Sequence, residues 1–329
     1  MPTWGQVLKE TQEELARGNQ MPFDVVRRRY LTLLHQYTKR NTILYASKWT
    51  QPSGVQPGVV SINDEDIQGL MEVVFQMKGD ELDLILHSPG GSPEATEAIV
   101  SYLRSKFRHI RVIVPQAAMS AATMLSCAAN RIVLGKHSSL GPIDPQIILQ
   151  TPLGIQMIPA QAILDQFQRA QEECKNPQLL NSWLPILSQF GPALLVQCQN
   201  AIDLAKGLVE KWLHTYMFES SNQKLAIEIA KQLSSHGDFK SHGRHISLDQ
   251  AQQYGLVVDA LEDDHQFQER VLSVYHAAML TFTGTAAVKI LENHAGGAFL
   301  KIEQQLVFAQ PPQKAPSILP PPVPPSPSV

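Results

Sequence analysis

Between residues 82 and 134 three short apolar runs alternate with segments of helical character, and this alternation constrains the fold more than any other feature. The runs are Leu82-Asp83-Leu84-Ile85-Leu86-His87, Ile110-Arg111-Val112-Ile113-Val114 and Arg131-Ile132-Val133-Leu134. The intervening segments, Glu94 to Leu103 and Met124 to Ala129, read as helices. Short apolar runs separated by helices are the mark of βαβ units and a parallel sheet. The fold class expected is therefore α/β.

Two features inside this region point to chemistry. After the first run the chain turns through Ser88-Pro89-Gly90-Gly91-Ser92. Paired glycines let the backbone approach a ligand closely, with N–H groups free to face negative charge. Further on, Ser120 stands in a field of small residues, Gln116-Ala117-Ala118-Met119-Ser120-Ala121-Ala122-Thr123. A strand-to-helix turn there would expose its hydroxyl at a helix N-terminus. A lone Gly-Gly turn or a lone Ser among alanines is more often plain packing. Their order, spacing and shared strand–turn–helix setting are what carry weight.

Ser88-Pro89-Gly90-Gly91, followed after one βα unit by Ala117 to Ala122, resembles the Clp protease / crotonase superfamily. The fuller run from Pro115 through Leu140-Gly141-Pro142-Ile143-Asp144-Pro145-Gln146 resembles the serine dehydrogenase proteinase family still more. Arg40-Asn41-Thr42-Ile43, with Tyr45 and Trp49, resembles the start of that domain. The likeness covers residues 40–262, patchy at first, dense over 82–146 and returning at 242–259. It implies a ClpP/crotonase-like ββα superhelix and a serine hydrolase, most simply an endopeptidase acting on proteins or peptides. It also implies Ser120 as nucleophile, with oxyanion donors at Gly91 and Ala121 and substrate contacts at Gly90 and Ser92.

A serine hydroxyl needs a proton acceptor, and the chain offers eleven histidines. In Clp peptidases the order is Ser, His, Asp; here the corresponding places hold Asp144 and His242. The resemblance thus implies the exchanged order Ser120, Asp144, His242, which chemistry permits because roles and geometry define a triad. His245 is the main rival to His242, then His137. If the segment is extended, only one of His242 and His245 can face the site. A Ser-Lys dyad of the signal-peptide-peptidase kind is the alternative mechanism, with Lys136, Lys175 and Lys206 following the serine. A non-catalytic interaction protein that keeps the fold is the alternative function. No dinucleotide fingerprint follows a strand, so no cofactor or hydride chemistry is expected.

The 329 residues suffice for one large domain with additions. We read 1–40 as an N-terminal helical segment and 41–262 as the catalytic domain with a helical insertion at about 160–235. Residues 263–309 read as a C-terminal helical extension, its helix covering 267–292. Residues 310–329 read as a disordered Pro-rich tail, with nine prolines from Pro311 onward. That tail is a candidate ligand for proline-binding domains. Arg27-Arg28-Arg29 is expected on a solvated face. A formal net charge of −3 without a basic block argues against nucleic acid as a partner. Three cysteines without metal-like spacing suggest a reducing compartment, and with no signal peptide and no apolar run of membrane length the expectation is a cytoplasmic protein, assembled as a homo-oligomer.

Overall fold

A computed structural model describes residues 3–51, 54–151 and 154–303. The Pro-rich tail lies outside the described residues. The architecture is mixed α/β, built on a central sheet. Its strands run in the spatial order Ala298–Ile302, Ala287–Asn293, Asn41–Ser47, Glu81–His87, His109–Val114, Arg131–Leu134 and Val258–Ala260. From Asn41–Ser47 onward neighbouring strands are parallel. The two C-terminal strands extend the edge in antiparallel pairing.

The parallel strands read as nearly continuous apolar runs because both sheet faces are covered. Alternate residues serve opposite faces. Ile43, Tyr45, Leu84 and Leu86 enter one core with the helices Asp66–Val74, Pro93–Lys106 and Ala121–Cys127. Leu44, Ala46, Ile85, Ile113 and Val133 enter a second core, closed by Trp4–Ala16, Pro22–Thr38 and His265–Gly284. The N-terminal helices and the C-terminal helix therefore form one layer. Thr3 begins the first helix with a capping box to Gln6. Gly18, at φ 83°, lies in the break between the two N-terminal helices.

Two expectations are corrected. The helix read over 267–292 ends at Gly284, and Ala287–Asn293 is a fully buried strand. Lys289 and Glu292 look like a polar helix face in sequence. Both are buried instead, each satisfied by an opposite charge. The second correction is Arg27, which is not on a solvated face but fully buried. Its guanidinium bonds Glu292, Asp24 at 2.8 Å and Thr281 at 2.9 Å.

The insertion follows the expected helices: Ala160–Glu173, Pro177–Leu187, Leu194–Trp212 and Gln223–Leu233. Ahead of it stands a hairpin the sequence did not announce, Gln146–Thr151 paired with Gly154–Pro159. Among the described residues no helix is long and apolar enough to cross a membrane.

Candidate active site

The strand Glu81–His87 delivers the glycine turn to the carboxyl edge of the sheet, where sites of open α/β folds gather. The turn is fixed from both sides. Ser88 N–H donates to Ala117 O at 3.2 Å, and Met119 N–H donates to Ser88 O at 3.0 Å. On the other flank Ile62 N–H donates to Gly90 O at 2.7 Å, and Ser92 N–H to Ile62 O at 3.0 Å. A Cβ at Gly90, where φ is 93°, would lie 2.5 Å from Met119 O and 2.8 Å from Ala121 N. A Cβ at Gly91 would lie 2.2 Å from Ile62 O. Both glycines are thus required by close backbone approach.

The pairing with Ile62 turns the Gly91 N–H away from that strand. Among the described residues neither the Gly91 N–H nor the Ala121 N–H donates a hydrogen bond. Ala121 opens the helix Ala121–Cys127, whose first N–H groups have no partner within the helix. The close approach of Gly90 to Ala121 N brings the glycine turn against the start of this helix. Ser92 is otherwise engaged. Its hydroxyl accepts from Ala95 N–H at 3.0 Å, capping the helix Pro93–Lys106, and donates to Glu94.

Ser120, whose Cβ would lie 2.8 Å from a Cβ at Gly90, adopts φ 52° and ψ −121°, a conformation a non-glycine residue rarely adopts. It makes no side-chain capping bond and stays partly exposed between buried Met119 and Ala121. Thr123, not singled out from sequence, ties this helix to the loop that carries Asp144. Its hydroxyl donates to Ala118 O at 2.8 Å and accepts from Gly141 N–H at 2.9 Å.

A short ladder brings the distant segments alongside. Ala117–Ala118 pairs with Ser139–Leu140, and Leu140 exchanges two backbone bonds with Ile246, of 3.0 and 2.9 Å. The ladder sets Asp144 and His242 together: Asp144 is 2% exposed, and His242 Nδ1–H donates to its Oδ1 at 2.7 Å. His236, missed in the sequence reading, donates from Nδ1 to Oδ2 of the same carboxylate at 3.0 Å. Carboxylate oxygens only accept, so each imidazole presents an Nδ1–H to the carboxylate, with Nε2 on the far side of the ring.

The rivals stand elsewhere. His245 is exposed and pairs with Ser139 Oγ at 2.6 Å. His137 is half exposed, 3.9 Å from Glu262. Lys175 reaches into solvent on Glu172, Lys206 lies on the insertion helix Leu194–Trp212, and Lys136 bonds Glu262 through its backbone. His87, directly behind the glycine turn, is fully buried between Trp49 and Tyr275. Burial pulls its pKa down to about 3, against a lesser opposing pull from the Ala117 backbone. It is a neutral wall of the site.

Comparison with known proteins gives matches in family, sequence and structure. The model of a family described as ClpP-like SDH-type serine proteinase matches residues 59–284. Two uncharacterized proteins of Methanocaldococcus jannaschii are similar in sequence. MJ0137 is 28% identical over 199 residues, 60% of this chain and 60% of that protein. MJ1495 is 30% identical over 179 residues, 51% of this chain and 59% of that protein. The chain thus spans about three fifths of the length of these relatives. Similar solved structures include a mutant of the 1510-N membrane-bound stomatin-specific protease, with TM-score 0.37, 15% identity, and coverage of 64% of this chain and 79% of that one. A ClpP1 mutant from Listeria monocytogenes matches with TM-score 0.35 and 14% identity, over 71% of this chain and 98% of that one.

Proposed function

Because the chain belongs to the family of ClpP-like SDH-type serine proteinases, we propose that it is a serine endopeptidase working through Ser120, Asp144 and His242, in that chain order. The observation that carries this reading is the 2.7 Å bond between His242 Nδ1 and the buried Asp144 carboxylate. That bond fixes the imidazole tautomer and leaves Nε2 as the base. His242 is preferred over His236 because its segment runs directly into Ile246, which is laddered to the strand beside the nucleophile.

In the mechanism His242 Nε2 removes the Ser120 proton as Oγ attacks the peptide carbonyl. The tetrahedral oxyanion is received by the N–H groups of Gly91 and Ala121, free donors that need no rearrangement. His242 then passes its proton to the leaving amine, and water hydrolyses the acyl-serine by the same route. Asp144 stabilises the charged imidazole throughout. Gly90 lets the substrate strand approach.

The test is a fluorophosphonate probe with a peptidase assay. Wild type should label and cleave, Ser120→Ala should do neither, and Asp144→Asn should be less severely impaired than His242→Ala. A folded wild type that neither labels nor cleaves points to the non-catalytic reading. Labelling that survives in His242→Ala points to another base.

Assembly with further copies of this chain is part of the reading. Ile148, Met157 and Ile155 form one outward stripe on the hairpin, 67%, 64% and 72% exposed. Its other face, with Ile147, Leu149 and Ile158, packs on the insertion. A ribbon apolar on both faces needs a cover. The three unpaired cysteines suit a reducing, cytoplasmic location.

A further inference from the structure

We propose that His236 is a positioning residue for the catalytic acid, through which the exit of the helical insertion sets the geometry of the site; this rests on the Ser120–His242–Asp144 reading. The Asp144 carboxylate has two oxygens, and a different imidazole holds each. His242 takes Oδ1 at 2.7 Å and His236 takes Oδ2 at 3.0 Å, with Gln146 Nε2 a longer third donor to Oδ2 at 3.3 Å. A carboxylate tethered by one strong donor can swing about its Cβ–Cγ bond and carry the base with it. Strong donors on opposite oxygens fix its plane, and with it the direction of His242 Nε2.

His236 is held for this task by its surroundings. It opens a single helical turn, His236–Phe239, whose Phe239 is buried in the main core. Lys240, at φ 62°, closes the turn by donating to His236 O at 2.8 Å. The ring is 17% exposed and the carboxylate 2%, so this is not a solvated surface pair. One turn earlier, the last helix of the insertion, Gln223–Leu233, takes a second grip: Ile143 N–H donates to Leu233 O at 2.9 Å. The residue before Asp144 is thus braced by the insertion through its backbone, and Asp144 itself through its side chain. A shift of the insertion relative to the sheet would reach the acid before any other part of the site.

The experiment is steady-state peptide hydrolysis by the full chain, with fluorophosphonate labelling rates and thermal midpoints. The variants are His236→Ala, His236→Asn, His242→Ala and Ser120→Ala. Asn keeps a donor near the position of the imidazole Nδ1, and Ala removes it. His236→Ala should lose about tenfold in kcat, the effect of one net hydrogen bond, with KM within about twofold. His236→Asn should recover to within about threefold of wild type. If His236→Ala does not fold, His236→Leu against His236→Asn makes the same comparison. Unchanged kcat in His236→Ala, an Asn variant no better than Ala, or a change confined to KM would overturn the proposal. His236→Ala as silent as Ser120→Ala, with His242→Ala active, would make His236 the base and overturn it too. Hydrolysis surviving in Ser120→Ala would instead overturn the parent reading, and this inference with it.

Discussion

Ser120 is held at φ 52°, where a Cβ crowds its own backbone, and such residues cost on the order of 1–3 kcal/mol. Its hydroxyl is aimed by this strain rather than by a capping bond. Ser120→Gly should therefore be more stable to urea than Ser120→Ala by about 1 kcal/mol, and on the proposed mechanism neither should cleave peptide. Equal midpoints would show that the turn is unstrained. His87 offers a second test. Its folded pKa of about 3 lies below the unfolded value of about 6.5, so the unfolded chain binds the proton first. Its contribution is present in full above pH 6.5 and is lost as pH falls toward 3. The loss is about 1.4 kcal/mol per unit. Urea midpoints of wild type and His87→Gln should converge between pH 7 and pH 5. Parallel curves would mean that His87 is protonated in the folded state. On the proposed mechanism Gly91→Ala should abolish turnover, but its Cβ would strike Ile62, so the loss would report register as well as the proposed oxyanion contact.

The strand Ala287–Asn293 shows what an element adds beyond its own pairing. Lys289 Nζ donates to Asp66 Oδ1 at 2.7 Å, both residues being buried, and to the partly buried Ser61 O at 2.7 Å. Tyr45 donates to Asp66 Oδ2 at 2.6 Å. Burial lowers the lysine's pKa despite the carboxylate, and burial with Asp66 raises the tyrosine's. This hub holds Ser61 beside Ile62, the residue that fixes the glycine turn. Lys289→Met strands a buried carboxylate and should cost about 3–5 kcal/mol. Adding Asp66→Asn should recover part of that loss in urea titrations. Strictly additive losses would show that the pair is not coupled. The sequence reading took this stretch for the end of an amphipathic helix, and the three-residue spacing of Lys289 and Glu292 does not by itself mark a buried strand. Their burial depends on Asp66 and on Arg27, the latter 265 positions away.

Over the whole molecule, the sheet and its two helical layers carry the site, and the insertion reaches back to it at Leu233 and His236. The exposed hairpin stripe belongs to this scale, since among the described residues nothing buries Ile148, Ile155 and Met157. Ile148→Glu with Met157→Glu should lower the sedimenting mass while leaving the thermal midpoint near that of wild type. An unchanged mass would overturn the proposed assembly through this stripe.

Much of the site's frame was legible in the residues because it rests on local backbone chemistry. The alternation of apolar runs gives the parallel strands. Gly90 and Gly91 give a turn only glycine can make against neighbouring backbone, and Ser120 among small residues gives a tight strand-to-helix junction. Asp144 and His242, 98 positions apart, were reached only through the family resemblance, and other side chains recruited across the fold were not legible. His236 reaches Asp144 from 92 positions away, Thr123 bridges to Gly141, and Arg27 is buried only because Glu292 meets it. Short-range patterns record what a segment's own backbone requires; a buried charge or a second donor on a carboxylate is decided by which distant partner the packing brings within hydrogen-bonding distance.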